Sequence, residues 1–301
     1  MTKINTAHAL QLLYSSPVMN QDSLTSPLRA RAPTLKPKMS LPTAAHCVLL
    51  ESFSQFTTNL HLLRVSDDSE VVHQARIGWR RFRTVLRLFK KISVVQSAPP
   101  WEPLKPILVS MGSLRDLDVA RGETLPQFAH DYAGTDPGKQ GKWRAMEQAL
   151  LRTADDQRQA VRVAMDDTAV QKTLLTITQW LENKAAWKKS SESKRYRDKS
   201  LRQWAKRRVA CAHEQLQTAR RDCGTFERQH RTRILAKRLR YSIEALRPLL
   251  PKRWYQQAID LQMDIGTTRD VMQAATIAST LGADPELVAF LRNAAEPGSA
   301  R

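Results

Sequence analysis

His73-Gln-Ala-Arg76-Ile77-Gly-Trp-Arg80-Arg81-Phe82-Arg83-Thr-Val85-Leu86-Arg87-Leu88-Phe89-Lys90-Lys91 reads as one amphipathic helix. At about 100° per residue, His73, Arg76, Arg80, Arg83, Arg87, Lys90 and Lys91 fall within roughly 100° of arc. Ile77, Phe82, Val85, Leu86, Leu88 and Phe89 fill most of the remainder. One side is a cationic stripe about 27 Å long at about 1.5 Å per residue, and the other is core. No acidic residue interrupts the span. A solvated helix face normally mixes signs, because Glu–Lys pairs at i,i+4 stabilise a helix and like charges at that spacing destabilise it. A single-sign stripe therefore points to an anionic ligand.

The pattern recurs. His230-Arg-Thr-Arg233-Ile234-Leu-Ala-Lys237-Arg238-Leu239-Arg240 repeats His, Arg, Ile, a basic pair, an apolar residue and Arg in the same order. His230, Arg233, Lys237, Arg240 and Arg247 share one face, with Ile234, Leu239, Ile243 and Leu246 turned away, and Glu244 stands where the first copy has Arg87. Downstream, Met111-Gly112-Ser-Leu-Arg115-Asp116 matches Ile265-Gly266-Thr-Thr-Arg269-Asp270. The offset of roughly 155 residues far exceeds solenoid periods of about 20–50. Two matched motifs in one order predict two homologous helical bundles, with His73 and His230 related by an approximate twofold axis.

Outward from the stripe, Leu49, Phe53, Phe56, Leu60 and Leu63 carry the same helical period from Thr43 onward, and Ser66 or Asp67 is placed to cap the basic helix. Further helices are expected over 104–120, 143–165, 170–183, 199–221, 225–250, 254–281 and 285–295, with the glycine-containing stretch 121–142 as a loop. Hardly any segment alternates with period two, so the fold class is all-α, two antiparallel four-helix bundles. Residues 1–42, with Pro17, Pro27, Pro33, Pro37 and Pro42, form a disordered or extended tail. The two bundles span 43–184 and 185–296, divided near a Lys- and Arg-rich stretch.

Composition narrows the partner. Lys and Arg total 48 against 29 Asp and Glu, a formal charge of +19. Such an excess repels itself in the compact state and is consistent with an anionic partner. Three cysteines without a CxxC pair disfavour a disulfide framework or zinc site and fit a reducing, cytoplasmic setting. No apolar run approaches the roughly 18 residues of a membrane span, so membrane insertion is not expected.

Arginine dominates the stripes, and guanidinium groups make bidentate bonds to phosphate oxygens where Lys supplies point charges. A row of cations along a helix suits a ligand whose charges are also in a row. Arg81 and Arg238 lie off the stripes, nearer the apolar side. A buried Arg needs a carboxylate, and Asp116 and Asp270 are the expected structural ion-pair partners. Gly112 and Gly266, inside helical patterns, suggest close helix–helix approach. No Walker A, HExxH, GxSxG or Cys–His arrangement occurs. Asp116 with Asp118, and Asp264 with Asp270, lack a third metal ligand, so neither catalysis, a cofactor nor a metal is expected. Nucleic acid is the rival ligand, since any phosphate backbone would be attracted. Against it, the first stripe has no interleaved aromatic for base stacking, although Tyr241 lies near the second.

His73xxArg76xxxArg80Arg81xArg83, then Leu114-Arg-Asp-Leu-Asp118-Val, then His230xxArg233xxxLys237Arg238xArg240Tyr241 with Glu244 together resemble the CHAD domain, the conserved histidine α-helical domain. The resemblance covers about residues 43–296. It implies two four-helix bundles related by pseudo-twofold symmetry, a basic surface or cavity between them, and binding of inorganic polyphosphate; association with polyphosphate granules, a scaffold and a regulator are all roles open to such a protein. The positions matching the family motif are His73, Arg76, Arg80, Arg83, His230, Arg233, Lys237 and Arg240; Arg87, Lys91 and Arg247 extend the same faces. The second Arg-Asp motif has Met272 where the first has Asp118. The stretch Pro33-Thr-Leu-Lys-Pro-Lys-Met-Ser-Leu resembles the linker that joins a CYTH triphosphatase domain to CHAD in fused proteins. No ExExK tract of that catalytic domain occurs, which fits either a stand-alone relative or a truncated fusion.

Overall fold

A computed structural model describes residues 26–189, 200–221, 226–263 and 267–295. Every regular element among them is helical. The principal helices are α1 (Leu41–Leu62), α2 (Ser69–Leu88), α3 (Lys105–Val119), α4 (Pro137–Met165), α5 (Thr168–Glu182), α6 (Lys184–Lys189), α7 (Leu201–Arg221), α8 (Phe226–Leu246), α9 (Lys252–Met263), α10 (Thr267–Thr280) and α11 (Pro285–Ala294).

The ends follow local chemistry. Ser40 caps α1 by accepting from the Thr43 amide, and Pro42 sits in the first turn, where a missing N–H costs nothing. Asp68 caps α2 by accepting from the Glu70 amide at 2.8 Å, one or two residues later than Ser66 or Asp67. The 121–142 stretch is only partly a loop. A π-helical turn, Ala120–Thr124, continues α3, and α4 already starts at Pro137, where Asp136 accepts from Gly138 and Lys139. Asp–Pro is a strong start signal that the nearby glycines obscure. Of the single helix expected over 254–281, α9 and α10 are described, and residues 264–266 between them lie outside the described residues.

The described residues divide into two compact units, each discontinuous in sequence: those up to Leu104 with those of Asp167–Gln262, and Lys105–Asp166 with those from Met263 onward. These units cut across the halves 43–184 and 185–296. They gather repeat-equivalent helices instead. The basic helices α2 and α8 pack in the first unit, and α3 and α10, which carry or follow the two Arg-Asp motifs, pack in the second.

In the first unit α1 and α2 form the main pair, with Leu49, Phe53, Phe56, Phe82 and Val85 buried between them. Gly78 allows their approach: a Cβ there would lie 2.6 Å from the Phe56 backbone nitrogen. Close approach through a glycine thus occurs within the basic motif itself. Because the obstacle is backbone, Gly78→Ala should force the helices apart and destabilise the protein by about 1–3 kcal/mol, read as a lower Tm.

Residues 26–40, within the expected tail, form no helix, turn at Pro37–Lys38, and are tied to this pair. The Leu28 backbone exchanges two hydrogen bonds of 2.9 Å with the Asn59 side-chain amide, Arg31 donates its N–H to Glu51 at 2.9 Å, and Leu35 is buried.

The second unit packs α3 on α4 and α10 on α11. Its buried ion pair joins Arg158 to Asp118 at 3.4 Å. Asp118 Oδ2 is buried without a hydrogen-bond partner, and burial pushes its carboxyl above the usual range against the pull of Arg158, Arg115 and Arg121.

Candidate polyanion-binding site

The amphipathic reading of α2 holds residue by residue along most of its length. Phe82, Val85, Leu88 and Phe89 are buried, Arg80, Arg87, Lys90 and Lys91 are exposed, and His73, Arg76 and Arg83 are half-buried. Ile77 and Leu86 sit at the edge of the core rather than within it.

Helix α8 brings the second set of cations to the same unit. Arg238, expected in a buried pair with Asp270, is instead exposed, and Asp270 belongs to the other unit. Arg238 stands within electrostatic reach of α2. Burial and the Arg87 charge pull its guanidinium below the ordinary range. Arg83 moves the same way, through burial, then Arg87, with Arg238 adding to the shift and Glu102 partly offsetting it. Guanidinium groups from helices far apart in sequence thus raise one another's cost of being charged. Both remain cations, because a guanidinium is not deprotonated in proteins.

The C-terminal end of α2 moderates that repulsion. Arg208 of α7 donates to the Leu88 carbonyl at 3.2 Å, and Phe89 stacks on Trp204 with centroids 4.7 Å apart. Arg87, Lys90, Lys91 and Arg208 crowd a helix end where the macrodipole favours cations, by about 0.3–1 kcal/mol each when exposed.

Arg83 is further held by an aromatic platform. Its Cζ lies 3.6 Å from the centroid of the half-buried Trp101 ring, and Trp101 packs on buried Trp79 at 5.7 Å. Two other arginines of the expected set also meet rings: Arg240 lies 5.9 Å from Tyr241, and Arg247 4.5 Å from Tyr255.

The remaining expectations divide. Arg233 and Lys237 are half-buried on α8, whereas Ile234, expected in the core, is partly exposed. Arg240 is bonded through Nε to Glu244 at 2.9 Å. Burial opposes its charge, but Glu244, with smaller help from Tyr241 and Tyr255, makes the net shift upward, so this arginine is partly satisfied within its own helix. The His230 side chain, Asp264 and Gly266 lie outside the described residues.

Arg81 is buried as expected, but its partner is not Asp116. Its guanidinium meets Glu51 through Nη2 at 2.7 Å and Nη1 at 3.1 Å, and it also reaches Gln55 and the Arg31 carbonyl. Asp116 is only half-buried, and the buried carboxylate of the first Arg-Asp motif is Asp118. Sequence patterns do not single out Trp101 or Arg208. Trp101 follows Pro99 and Pro100 outside any periodic segment, and Arg208 lies in a run with Lys206 and Arg207. Among the described residues no group of three or more His, Cys, Asp or Glu side chains could hold a metal ion, and no helix is long and apolar enough to cross a membrane.

Comparison with known proteins places this geometry in a family. The family model for the CHAD domain matches residues 47–279. The fold is similar to that in the crystal structure of the CHAD domain from the plant Ricinus communis, with a TM-score of 0.72 and 23% identity over 90% of each chain. No curated protein matches.

Proposed function

The chain belongs to the CHAD domain family, and from that premise we propose that it binds inorganic polyphosphate through the cations gathered in its first unit and does not turn it over. The observation that carries this reading is the packing of the cationic helices α2 and α8 in one unit, which puts Arg238 within electrostatic reach of Arg83 and Arg87. Like charges brought together by folding cost free energy in the empty protein, and a polyanion returns that cost on binding. Arginine edges match phosphate oxygens two at a time, and the exposed Arg80 on α2, with Lys90 and Lys91 in the turn just past its end, extends the track. Nucleic acid is the less favoured ligand. Tyr241, the aromatic nearest the second stripe in sequence, is buried and unavailable to a base.

Binding of long-chain polyphosphate should be compared with ssDNA, RNA and heparin of equal charge at about 150 mM salt, where nonspecific attraction is reduced. Polyphosphate is expected to bind at least about tenfold tighter than the nucleic acids, a margin of about 1.4 kcal/mol. Equal binding of all four would reduce the site to a nonspecific patch. Release of free phosphate from the polymer during the same incubation would replace a binding protein with a phosphoanhydride-processing enzyme. A cytoplasmic location, with association to polyphosphate granules, is part of the same proposal.

A further inference from the structure

We infer that Trp101 is a positioning and specificity residue of the basic site, presenting Arg83 as a preformed phosphate ligand while denying its own ring to nucleobases. The inference rests on the polyphosphate reading and deepens it.

Trp101 is not part of either basic helix. It enters from the turn after Pro99 and Pro100, immediately before Glu102, and its ring lies between two neighbours. Arg83 covers it with Cζ 3.6 Å from the centroid, and Trp79 meets it at 5.7 Å with planes tilted by 59°. Trp79 is fixed in turn by Phe56 at 5.1 Å and Phe82 at 5.5 Å, so the platform is anchored in the α1–α2 core. A guanidinium lying on an aromatic ring keeps its N–H edges free for hydrogen bonding in its own plane. The ring therefore removes side-chain freedom from Arg83 without consuming the donors a phosphate needs, and the ordering cost of binding is already met.

The same contact bears on selectivity. Proteins that hold single strands stack bases on exposed aromatic faces. In this protein Arg83 occupies a face of the Trp101 ring beside the cation cluster. A chain of bare phosphates loses nothing by that occupancy, whereas a base-bearing chain loses a stacking site.

The test uses the full chain, with long-chain polyphosphate and oligothymidylate as probes. Trp101→Ala should weaken polyphosphate binding about fivefold, the range expected for a partly buried cation–π contact. Its salt dependence should be unchanged, because no cation is removed. Trp101→Phe, which keeps an aromatic face, should bind within about twofold of the parent. The deciding measurement is a cycle with Arg83→Ala: if Trp101 acts through Arg83, adding Trp101→Ala to Arg83→Ala should change affinity by less than about twofold. Arg83→Ala alone should also narrow the preference for polyphosphate over oligothymidylate, since it uncovers the ring. Additive losses in the cycle, or a Trp101→Ala protein that melts normally and binds like the parent, would overturn the positioning role. Failure of the unaltered protein to bind polyphosphate would instead remove the function on which this inference rests.

Discussion

Replacing Arg83, Arg87 and Arg238 together with alanine is expected to lower polyphosphate affinity on the order of 10³-fold near physiological salt. Each of the three supplies a charge-assisted bond and releases condensed counterion from the ligand. For a single-stranded polyanion the loss of three phosphate contacts should flatten the dependence of log K on log salt by about 2. The fold should survive, because all three side chains are exposed or half-buried and none is needed to fill the α1–α2 core. Relief of repulsion among them should leave Tm unchanged or slightly raised. Replacement of Arg240 alone should cost much less than any one of the three, since Glu244 already engages it. Lysine at the three positions should recover only part of the affinity if paired phosphate contacts matter. Full recovery with lysine, or a triple alanine protein that binds as well as the parent, would move the ligand away from this cluster.

Glu51→Ala should lower stability by about 3–5 kcal/mol, more than Gly78→Ala, because it strands the buried Arg81 guanidinium. Arg81 is 3% exposed, and Gln55 with the Arg31 carbonyl can satisfy only some of its donors. The lower end of the range is therefore expected. The same substitution also removes the acceptor for the Arg31 N–H and loosens residues 26–40. Replacing Arg81 and Glu51 together by apolar residues of similar volume should recover most of the loss, as removal of a whole buried pair is often neutral. Thermal unfolding of the single and paired variants checks both statements. A Glu51→Ala protein with an unaltered Tm would show that Arg81 is supported by its neutral partners alone.

The α2 stripe is legible in the sequence because a surface helix writes its environment with a period of 3.6, and nineteen residues without an acid leave little ambiguity. The burial of Arg81 follows from its angular position for the same reason. Its partner does not, because Glu51 lies on another helix and one-dimensional periodicity carries no information about which helices meet. For Arg238 the repeat misleads: it aligns with Arg81, yet α8 presents this position to solvent beside α2, and Ile234 is partly exposed on the same helix. Similar sequence segments, each contiguous in the chain, suggest separate bundles. Burial instead pairs equivalent helices, α2 with α8 and α3 with α10. Trp101 is hidden in the sequence for a simpler reason. A side chain delivered by a turn has no periodic neighbours, and only tertiary structure sets it beside Arg83.

The discontinuity of both units bears on how the protein is made. A ribosome finishes α2 long before it reaches the end of α8; roughly 160 residues separate the two, or on the order of 10–30 s of synthesis at usual rates. Throughout that interval the nascent chain carries the α2 cations without Arg238, while α3 and α4 emerge without α10 and α11. Neither unit can complete its packing from the first half alone, so contacts of high sequence separation must close late. An expression fragment ending near residue 184 would therefore sever both units at once. A cut that respects them does not exist in a linear chain.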